Sequence, residues 1–418
     1  MSKARVRYAP SPTGIPHIGN IRTALFNYLF VKNPKNSGDF ILRIEDTDQN
    51  RLVPQAVEKI KESLNLLGLV PDEEYHQSKR LEIYKKHLEV LKEKSLVYED
   101  ESAWRFKVEK SHDLEWDDIV HGTVKFSSDV IEDFIIIKSD GYPTYHFASV
   151  IDDHDMQISH VFRGDEWISS TPKHLLLYQS FGWEPPKFVH LPPILGEGHK
   201  KLSKRDGAKS VIEYIDEGYL PEALVNFLAF LGWSPKDERE IFSLEELTHE
   251  FSLDRINKNS PIFNVEKLKW FSREWIKKMP DEKLSELIHK KYPDYELSKI
   301  IQTLPAVKDR INTVADFKEI AELFFKEPDS KDNLKDISVS SEILKRLILE
   351  LEKIDWSEEK ISAVVSAVME ENKLSKAQMY RSIGIALSGK LVTPPIFSSM
   401  EILGKDETLA RLKACEQK

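Results

Sequence analysis

The pattern of hydrophobic and polar positions divides the chain into two halves. In the first half, short apolar runs such as residues 40–44 alternate with segments of helical spacing such as residues 54–67. Branched apolar runs predict buried strands, and strands separated by helices predict a parallel sheet whose ligands lie beyond the carboxyl ends of the strands. The same reasoning predicts strands over residues 5–9, 135–137 and 161–162, and helices over residues 21–32, 78–94 and 172–181.

From about residue 240 the strand-like runs vanish and Leu, Ile, Ala, Glu and Lys recur at helical spacing. Residues 343–354 carry one such apolar stripe, which is typical of a helix packed on a core. Ser375 with Gln378 predicts a capping box, and Gly389 predicts the end of that helix. The sequence therefore predicts an all-helical C-terminal half.

Composition narrows the classes of protein. A chain of 418 residues should hold about two or three domains. The formal net charge of −10 argues against a general nucleic-acid coat, though not against a local basic face. The single cysteine, Cys415, excludes an intrachain disulfide and a Cys-based zinc site, so we expect a cytoplasmic location. We also expect no membrane association, since no apolar run approaches the length of a span and the N-terminus lacks a secretory core.

The first candidate motif is a turn at His17 and Gly19, between the strand over residues 5–9 and the next helix. Free N–H groups and the positive end of the helix dipole favour a phosphate there. Gly19 removes a side chain that would keep a nucleotide away, and His17 can donate to the phosphate. Taken alone, His17 is better interpreted as a capping or half-buried turn residue.

The second candidate motif is the basic run over residues 201–205, which has glycines on both sides. Transfer of an adenylyl group from ATP builds negative charge on the α-phosphate and on pyrophosphate, and fixed cations lower that barrier. Lys201 and Lys204 are the candidate cations, on a loop able to close over triphosphate. Without His17, an exposed basic loop would be the favoured interpretation.

Together the two motifs resemble the paired signature of class I aminoacyl-tRNA synthetases, and their neighbours resemble bacterial glutamyl-tRNA synthetases. The resemblance implies a Rossmann-type α/β catalytic domain with a parallel sheet, a shortened acceptor-binding insertion and an all-α C-terminal anticodon-binding half. The segments that carry it are residues 8–14, 17–19, 22–27, 43–48, 139–146, 201–207, 261–268 and 386–404.

The resemblance also implies a division into domains. Between residues 98 and 106 relatives usually insert a longer helical segment, sometimes with a Cys-rich zinc knuckle, whereas this chain has neither the length nor the cysteines. We therefore expect a trimmed acceptor-binding domain and no zinc. The expected domains are a catalytic domain over 1–98 and 139–240, the acceptor-stem insertion over 99–138, a stem-contact domain over 241–320 and an anticodon-binding domain over 321–418.

The chemistry implied by the resemblance is the formation of glutamyl-adenylate from L-glutamate and ATP with Mg²⁺. The 2′-hydroxyl of the terminal adenosine of tRNA(Glu) then attacks the adenylate. We expect the first step to need bound tRNA, and we expect a monomer. The implied catalytic residues are His17, Lys201 and Lys204. The implied ATP-binding residues are His17, Gly19, Glu166, Lys201, Leu202, Ser203 and Lys204.

The amino-acid pocket can be argued from charge. Glutamate carries two carboxylates and one ammonium, so a selective pocket needs planar cations and at least one acid. The resemblance places Arg7 and Arg163 on the side-chain carboxylate and Glu45 on the ammonium. A neutral glutamine would leave the buried arginines uncompensated. The full implied set is Arg7, Ser11, Glu45, Tyr145, Ser149 and Arg163, with Ser149 where many relatives carry a longer amide.

Residues 267–278 interleave basic and aromatic side chains, a pattern that suits RNA. An amphipathic helix with buried tryptophans explains the pattern equally well. The expected tRNA-contacting residues are Lys107, Lys269, Arg273 and Arg310. Residues 152–155 combine acids and a histidine, but neighbours in one extended or turn segment seldom converge on one ion, so we expect no structural metal.

Several alternatives remain from the sequence. A glutaminyl enzyme would continue into β-barrels, and a queuosine-glutamylating relative would lack the C-terminal half. A small-molecule nucleotidylyltransferase is disfavoured by Arg163 and the helical half, and a non-catalytic tRNA-binding paralogue is disfavoured by His17, Lys201 and Lys204. A non-discriminating enzyme that also charges tRNA(Gln) stays open.

Overall fold

Among the described residues, the first half of the chain forms a seven-stranded main sheet. The computed structural model describes residues 3–111, 113–196, 198–200, 202, 208–328 and 336–416. The strands are β1 (Arg5–Tyr8), β2 (Asp39–Ile44), β3 (Glu73–His76), β4 (Val97–Asp100), β5 (Ala103–Phe106), β6 (Asp113–Asp118), β7 (Gly122–Ser127), β8 (Phe134–Ile137), β9 (His160–Gly164) and β10 (Lys187–Leu191).

The strand order of the main sheet is β3-β2-β1-β9-β10-β6-β7. All neighbours pair in parallel except β6 and β7, which form an antiparallel hairpin at one edge. A separate antiparallel sheet has the order β4-β5-β8. The strand predicted over residues 135–137 therefore exists but is not part of the parallel sheet. Its apolar run predicts burial, and burial does not tell which sheet a strand joins.

The chain divides into two units, residues 1–216 with 221–271, and residues 217–220 with 272–418. Helices of the first unit pack on the main sheet and bury side chains such as Phe147, Val161, Leu177 and Phe188. No helix of the described residues is long and apolar enough to cross a membrane. The helices up to residue 278 are α1 (Ile18–Lys32), α2 (Ala56–Leu66), α3 (Leu81–Glu93), α4 (Tyr145–Asp155), α5 (Thr171–Phe181), α6 (Val211–Asp216), α7 (Pro221–Phe230), α8 (Leu244–Glu250) and α9 (Val265–Lys278).

The described part of the second unit contains helices and no strands, as the sequence predicts. In α14 (Ser341–Leu351) four residues of the apolar stripe are buried, and the partly buried Ile343 and Ile354 pack on the same core. Ser375 and Gln378 form the predicted capping box, and Gly389 ends that helix with a left-handed φ of 71°. The remaining helices are α10 (Asp281–Lys291), α11 (Leu297–Val307), α12 (Asp316–Ile320), α13 (Glu322–Phe325), α14 (Ser341–Leu351), α15 (Glu358–Glu371), α16 (Lys376–Ser388), α17 (Ile396–Leu403) and α18 (Lys405–Glu416).

The parallel register aligns the ends of four neighbouring strands. Arg7 in β1 lies opposite Ile41 in β2, and Arg163 in β9 lies opposite His190 in β10. Because these strands run in the same direction, their carboxyl ends meet at one edge of the sheet. Polar residues at the ends of β1, β2, β9 and β10 are thereby brought into one region.

Candidate active site

A buried ionic network lies beneath the carboxyl ends of β1 and β2. Arg43, which is fully buried, donates from Nη1 to Asp153 Oδ1 at 2.6 Å and from Nη2 to Glu45 Oε1 at 3.2 Å. Arg7 reaches the same Asp153 Oδ1 from its Nε at 3.0 Å and donates to the backbone carbonyl of Phe162 at 3.2 Å. The network therefore links Arg7 and Glu45 through Arg43 and Asp153.

Glu45 directly follows β2 and is 7% exposed. Burial raises the pKa of its carboxyl to about 7, because desolvation outweighs the attraction of Arg43 and Arg7. Arg43 and Arg7 offset only part of the cost of ionising this buried carboxyl, and a further cation would offset more of it. The position is suited to an ammonium group of a ligand.

Arg163, on β9, is buried but is not neutralised in the way that Arg7 is. Its Nε donates to His190 Nε2 at 3.0 Å, and its Nη2 donates to Thr171 Oγ1 at 2.8 Å. Its Nη1 makes only long contacts of 3.4 Å, to Tyr145 Oη and His174 Nδ1. Among the residues that the structure describes, no carboxylate forms an ion pair with Arg163, so a buried positive charge remains beside Tyr145.

Asp152 and Asp153 are committed to cations of the protein. Asp152 accepts from Arg80 Nε at 2.7 Å, Tyr84 Oη at 2.8 Å and Gln77 Nε2 at 2.9 Å. The predicted extended or turn setting of residues 152–155 is wrong, since they lie at the end of α4. Within the described residues, no group of three or more His, Cys, Asp or Glu side chains could hold a metal ion.

Of the two serines in the predicted pocket, Ser149 is fully buried on α4 and accepts from Arg43 Nη2 at 3.2 Å. Ser11 is exposed on the turn after β1, and its carbonyl accepts from Thr13 N at 2.8 Å. Ser149 therefore supports the arginine network from within, whereas Ser11 lies at the surface.

His17 caps α1, as predicted for a capping residue of the turn. Its ring Nδ1 accepts from Gly19 N at 3.1 Å, and a Cβ at Gly19 would lie 2.9 Å from the His17 ring carbon Cε1. Gly19 is therefore needed for the ring to fold over the helix end. The lack of a side chain at Gly19 thus leaves room for the His17 ring in the protein without a nucleotide.

The flank of the second motif meets the His17 turn. Ile18 N donates to Lys209 O at 3.0 Å, and His17 pairs with Ser210 in an isolated antiparallel bridge. Leu202 is partly buried. The predicted site residues Lys201, Ser203 and Lys204 lie outside the described residues.

Two further charged residues stand near the end of β9. Arg22 is buried and donates to the carbonyls of Pro192 at 2.5 Å and Leu231 at 3.1 Å, and desolvation lowers its pKa to about 10. Glu166 is exposed, and its carboxylate lies where a Cβ of Gly164 would be. The bare backbone of Gly164 thus admits the Glu166 side chain.

The four residues predicted to contact tRNA have ordinary surface settings. Lys107 is exposed, and Lys269 pairs with Glu266 at 2.9 Å. Arg273 is partly exposed on α9, and the exposed Arg310 donates to Thr393 O at 3.1 Å. On α9, Trp270 and Trp275 are half-buried. The tRNA assignments therefore stay predictions.

Sequence reasoning missed Arg43 and His190 as parts of the site. Each is a polar residue that interrupts the apolar run inside a strand, in residues 40–44 of β2 and residues 188–191 of β10. A buried strand rarely carries such a residue unless it is paired, so the interruption is a usable signal. What each residue pairs with depends on strands and helices distant in the sequence.

Comparisons with known proteins agree with this architecture. Residues 3–103 and 99–270 match the catalytic domain of class I tRNA synthetases (E and Q), and residues 264–415 match an anticodon binding domain. The glutamate–tRNA ligase of Finegoldia magna is 36% identical over 99% of each chain. That of Dehalococcoides mccartyi strain CBDB1 is 38% identical over 98% of this chain and 96% of its own.

Solved structures give the same result. The crystal structure of a glutamate tRNA ligase from Elizabethkingia meningosepticum, in complex with its amino acid, matches with a TM-score of 0.90 and 32% identity over the whole of both chains. A glutamate–tRNA synthetase from Elizabethkingia anophelis matches with a TM-score of 0.88. The fold and the matched domains define a class I tRNA synthetase with a helical anticodon-binding half. Within that class, the chain belongs to the glutamate–tRNA ligase family.

This family confirms the predicted fold class and the predicted kind of enzyme. The alignment with the Finegoldia magna ligase extends over 488 positions, whereas this chain has 418 residues. The relative therefore carries residues that have no counterpart here.

Proposed function

We propose that this chain activates L-glutamate with ATP and Mg²⁺ and transfers it to the 3′ end of tRNA(Glu). A carboxylate oxygen of glutamate attacks the α-phosphorus of ATP, the bond to the pyrophosphate oxygen breaks, and glutamyl-adenylate forms. The 2′-hydroxyl of the terminal adenosine then attacks the acyl carbon and releases AMP, while its proton leaves to solvent.

The observation that carries this proposal is the setting of Arg163. It is 5% exposed, and among the described residues it has no carboxylate partner. Its Nε and Nη2 are held firmly, while Nη1 makes only the two 3.4 Å contacts. A buried guanidinium with an unsatisfied edge is suited to an anionic ligand. We assign that edge to the side-chain carboxylate of glutamate, with Tyr145 beside it.

The charge balance of the pocket supports an anionic amino acid. Arg7 and Arg43 are buried and pair with the acids Asp153 and Glu45, whereas the buried guanidinium of Arg163 forms no ion pair with a carboxylate of the described residues. The side-chain carboxylate of glutamate would give Arg163 such a partner, and the neutral amide of glutamine would not.

The other groups of the amino acid are assigned by charge and position. Glu45 accepts the ammonium, and Arg7 supports the side-chain carboxylate from the floor of the pocket. Ser11 is assigned to the ligand from the turn after β1, and Ser149 supports the pocket through its hydrogen bond from Arg43. Ionised Glu45 is stabilised when the ammonium arrives, which offsets the desolvation that raises its pKa.

Nucleotide binding is assigned to the two motifs. His17 and Gly19 form the helix-terminal turn for the phosphates, and Lys201 and Lys204 neutralise the charge that develops on the departing pyrophosphate. The contact of Ile18 with Lys209 supports this pairing, because Lys209 follows the basic run by only a few residues. Further contacts to the nucleotide are assigned to Glu166, Leu202 and Ser203.

For tRNA we propose contacts from Lys107, Lys269, Arg273 and Arg310 and the domain division expected from the sequence. The two segments that match the catalytic-domain model meet at residues 99–103, which supports placing the missing acceptor-binding segment there. We further propose that the enzyme acts as a monomer in the cytoplasm, where translation takes place.

The test is glutamate-dependent exchange of labelled pyrophosphate into ATP, with and without tRNA(Glu). We expect exchange with glutamate, far less with glutamine, and a need for tRNA. Replacing Arg163 with glutamine should raise the KM for glutamate at least about 30-fold, since truncating a buried charged contact costs about 2–5 kcal/mol. Arg239→Gln is the matched control, because Arg239 is an exposed arginine paired with Asp237.

The outcomes separate the alternatives. Exchange without an amino acid would indicate a nucleotidylyltransferase, and tRNA binding without exchange would indicate a non-catalytic paralogue. Charging assays with tRNA(Glu) and tRNA(Gln) as separate substrates decide whether the enzyme is discriminating. An unchanged KM in the Arg163→Gln variant would overturn the assignment of the carboxylate site.

A further inference from the structure

His190 connects Arg163 with a buried aspartate from the edge hairpin of the main sheet. His190 Nδ1 lies 2.6 Å from Asp118 Oδ2, and its Nε2 accepts from Arg163 Nε at 3.0 Å. All three residues are buried, with Asp118 at the end of β6 and His190 and Arg163 in register on β10 and β9. The three side chains form a continuous line that ends at the proposed carboxylate site.

The chemistry of the line fixes the tautomer of His190. Burial lowers the pKa of the imidazole and outweighs the opposing hydrogen bond to Asp118, so the ring is neutral and carries one N–H. A carboxylate only accepts, so that hydrogen is on Nδ1 facing Asp118. The lone pair of Nε2 then faces Arg163. In the opposite tautomer the Nε2–H of His190 would point at the Nε–H of Arg163.

Asp118 is itself held firmly by the turn that it begins. Its Oδ1 accepts from the backbone N–H groups of Val120 and His121, both at 3.0 Å, while Oδ2 faces His190. The carboxylate therefore cannot rotate without losing backbone hydrogen bonds. Oδ1 thus accepts from the turn, and Oδ2 accepts from His190.

We propose that Asp118 and His190 are positioning residues that hold the guanidinium of Arg163 in the orientation needed to bind the side-chain carboxylate of the amino acid. The fixed tautomer anchors Nε of Arg163 on His190. Nη1, whose contacts to Tyr145 and His174 are long, is then held for the carboxylate. This inference rests on the proposed function and adds two specificity-determining residues that do not touch the substrate.

The substitution Asp118→Asn tests the tautomer directly. The amide oxygen would keep the backbone N–H groups of Val120 and His121, so the amide nitrogen would face His190 and donate to Nδ1. The ring hydrogen would then move to Nε2 and oppose Arg163, as wrong-tautomer variants of other acid–histidine pairs illustrate. The matched control is Asp117→Asn, because Asp117 is exposed on the same strand and accepts from Thr123.

The readouts are the KM values in pyrophosphate exchange and the melting temperature. We expect Asp118→Asn to raise the KM for glutamate about tenfold or more, to leave the KM for ATP unchanged and to reduce the preference for glutamate over glutamine. Asp117→Asn should change none of these. Equal rises in both KM values, or an unchanged KM for glutamate in the folded variant, would overturn the positioning role.

A double variant removes the ambiguity of a folding defect. In His190→Gln the side-chain amide reaches the position of Nε2 and offers its oxygen to Arg163 without the help of Asp118. Adding Asp118→Asn to this background should therefore have little further effect on the KM for glutamate, whereas a full additional loss would contradict the proposal. Absence of glutamate-dependent exchange in the unmodified chain would instead overturn the proposed function.

Discussion

The raised pKa of Glu45 predicts how glutamate use depends on pH. In the proposed site its carboxylate must be ionised to accept the ammonium, and burial raises its pKa to about 7 in the free protein. Lowering the pH through 7 therefore protonates Glu45 and removes the charge that meets the ligand. The value of kcat/KM for glutamate should follow the ionised fraction, because this constant reports ionisations of the free enzyme.

The magnitude follows from the pKa. With a midpoint of about 7, roughly 90% of Glu45 is ionised at pH 8, roughly half at pH 7 and roughly 10% at pH 6. We therefore expect kcat/KM for glutamate to fall about tenfold from pH 8 to pH 6. The value of kcat/KM falls towards low pH because Glu45 is an acid that loses its negative charge on protonation. Its raised pKa brings this loss to near-neutral pH.

The assay is pyrophosphate exchange at saturating ATP and tRNA over pH 5.5 to 8.5, with kcat/KM for ATP as the internal control. Glu45→Gln, which is neutral at every pH, should have low kcat/KM for glutamate and should lose the step near pH 7. A flat profile for the unmodified enzyme between pH 6 and 8, or a step that persists in Glu45→Gln, would refute the assignment of Glu45 to the ammonium.

Two further predictions concern stability and are checked by denaturant unfolding of the purified chain. Gly38→Ala should lower the free energy of unfolding by about 2–3 kcal/mol, because the new Cβ would overlap the carbonyl oxygen of Ala4. Gly14→Ala is the control, because a Cβ at Gly14 would lie in open space. Arg43→Met should lower the free energy of unfolding by about 3–5 kcal/mol, because Asp153 would lose a buried counter-charge, and a loss below about 1 kcal/mol would contradict the network.

The sequence predicts where candidate site residues lie when they coincide with strand ends. Arg7, Glu45 and Arg163 lie at the ends of β1, β2 and β9, because short apolar runs mark the strands and parallel strands bring their carboxyl ends together. The helix termination at Gly389 was equally predictable, since capping depends on neighbouring residues alone.

The parts that the sequence does not predict depend on contacts between distant segments. Asp118 and His190 are separated by 72 positions, and nothing local says that β6 pairs with β10. The sheet to which β8 belongs is set by its pairing with β5, which an apolar run cannot encode. Arg43 stands out as a charge within an apolar run, but its partners Asp153 and Ser149 come from a helix more than a hundred residues away.

The most direct test of the account is a crystal structure of the enzyme with a non-hydrolysable glutamyl-adenylate analogue. We predict that His17 and Lys204 lie within hydrogen-bonding distance of the phosphate mimic of one nucleotide, and that Arg163 contacts the side-chain carboxylate while Glu45 contacts the ammonium. An analogue whose carboxylate lies away from Arg163, or a structure in which His17 and Lys204 face different cavities, would contradict it.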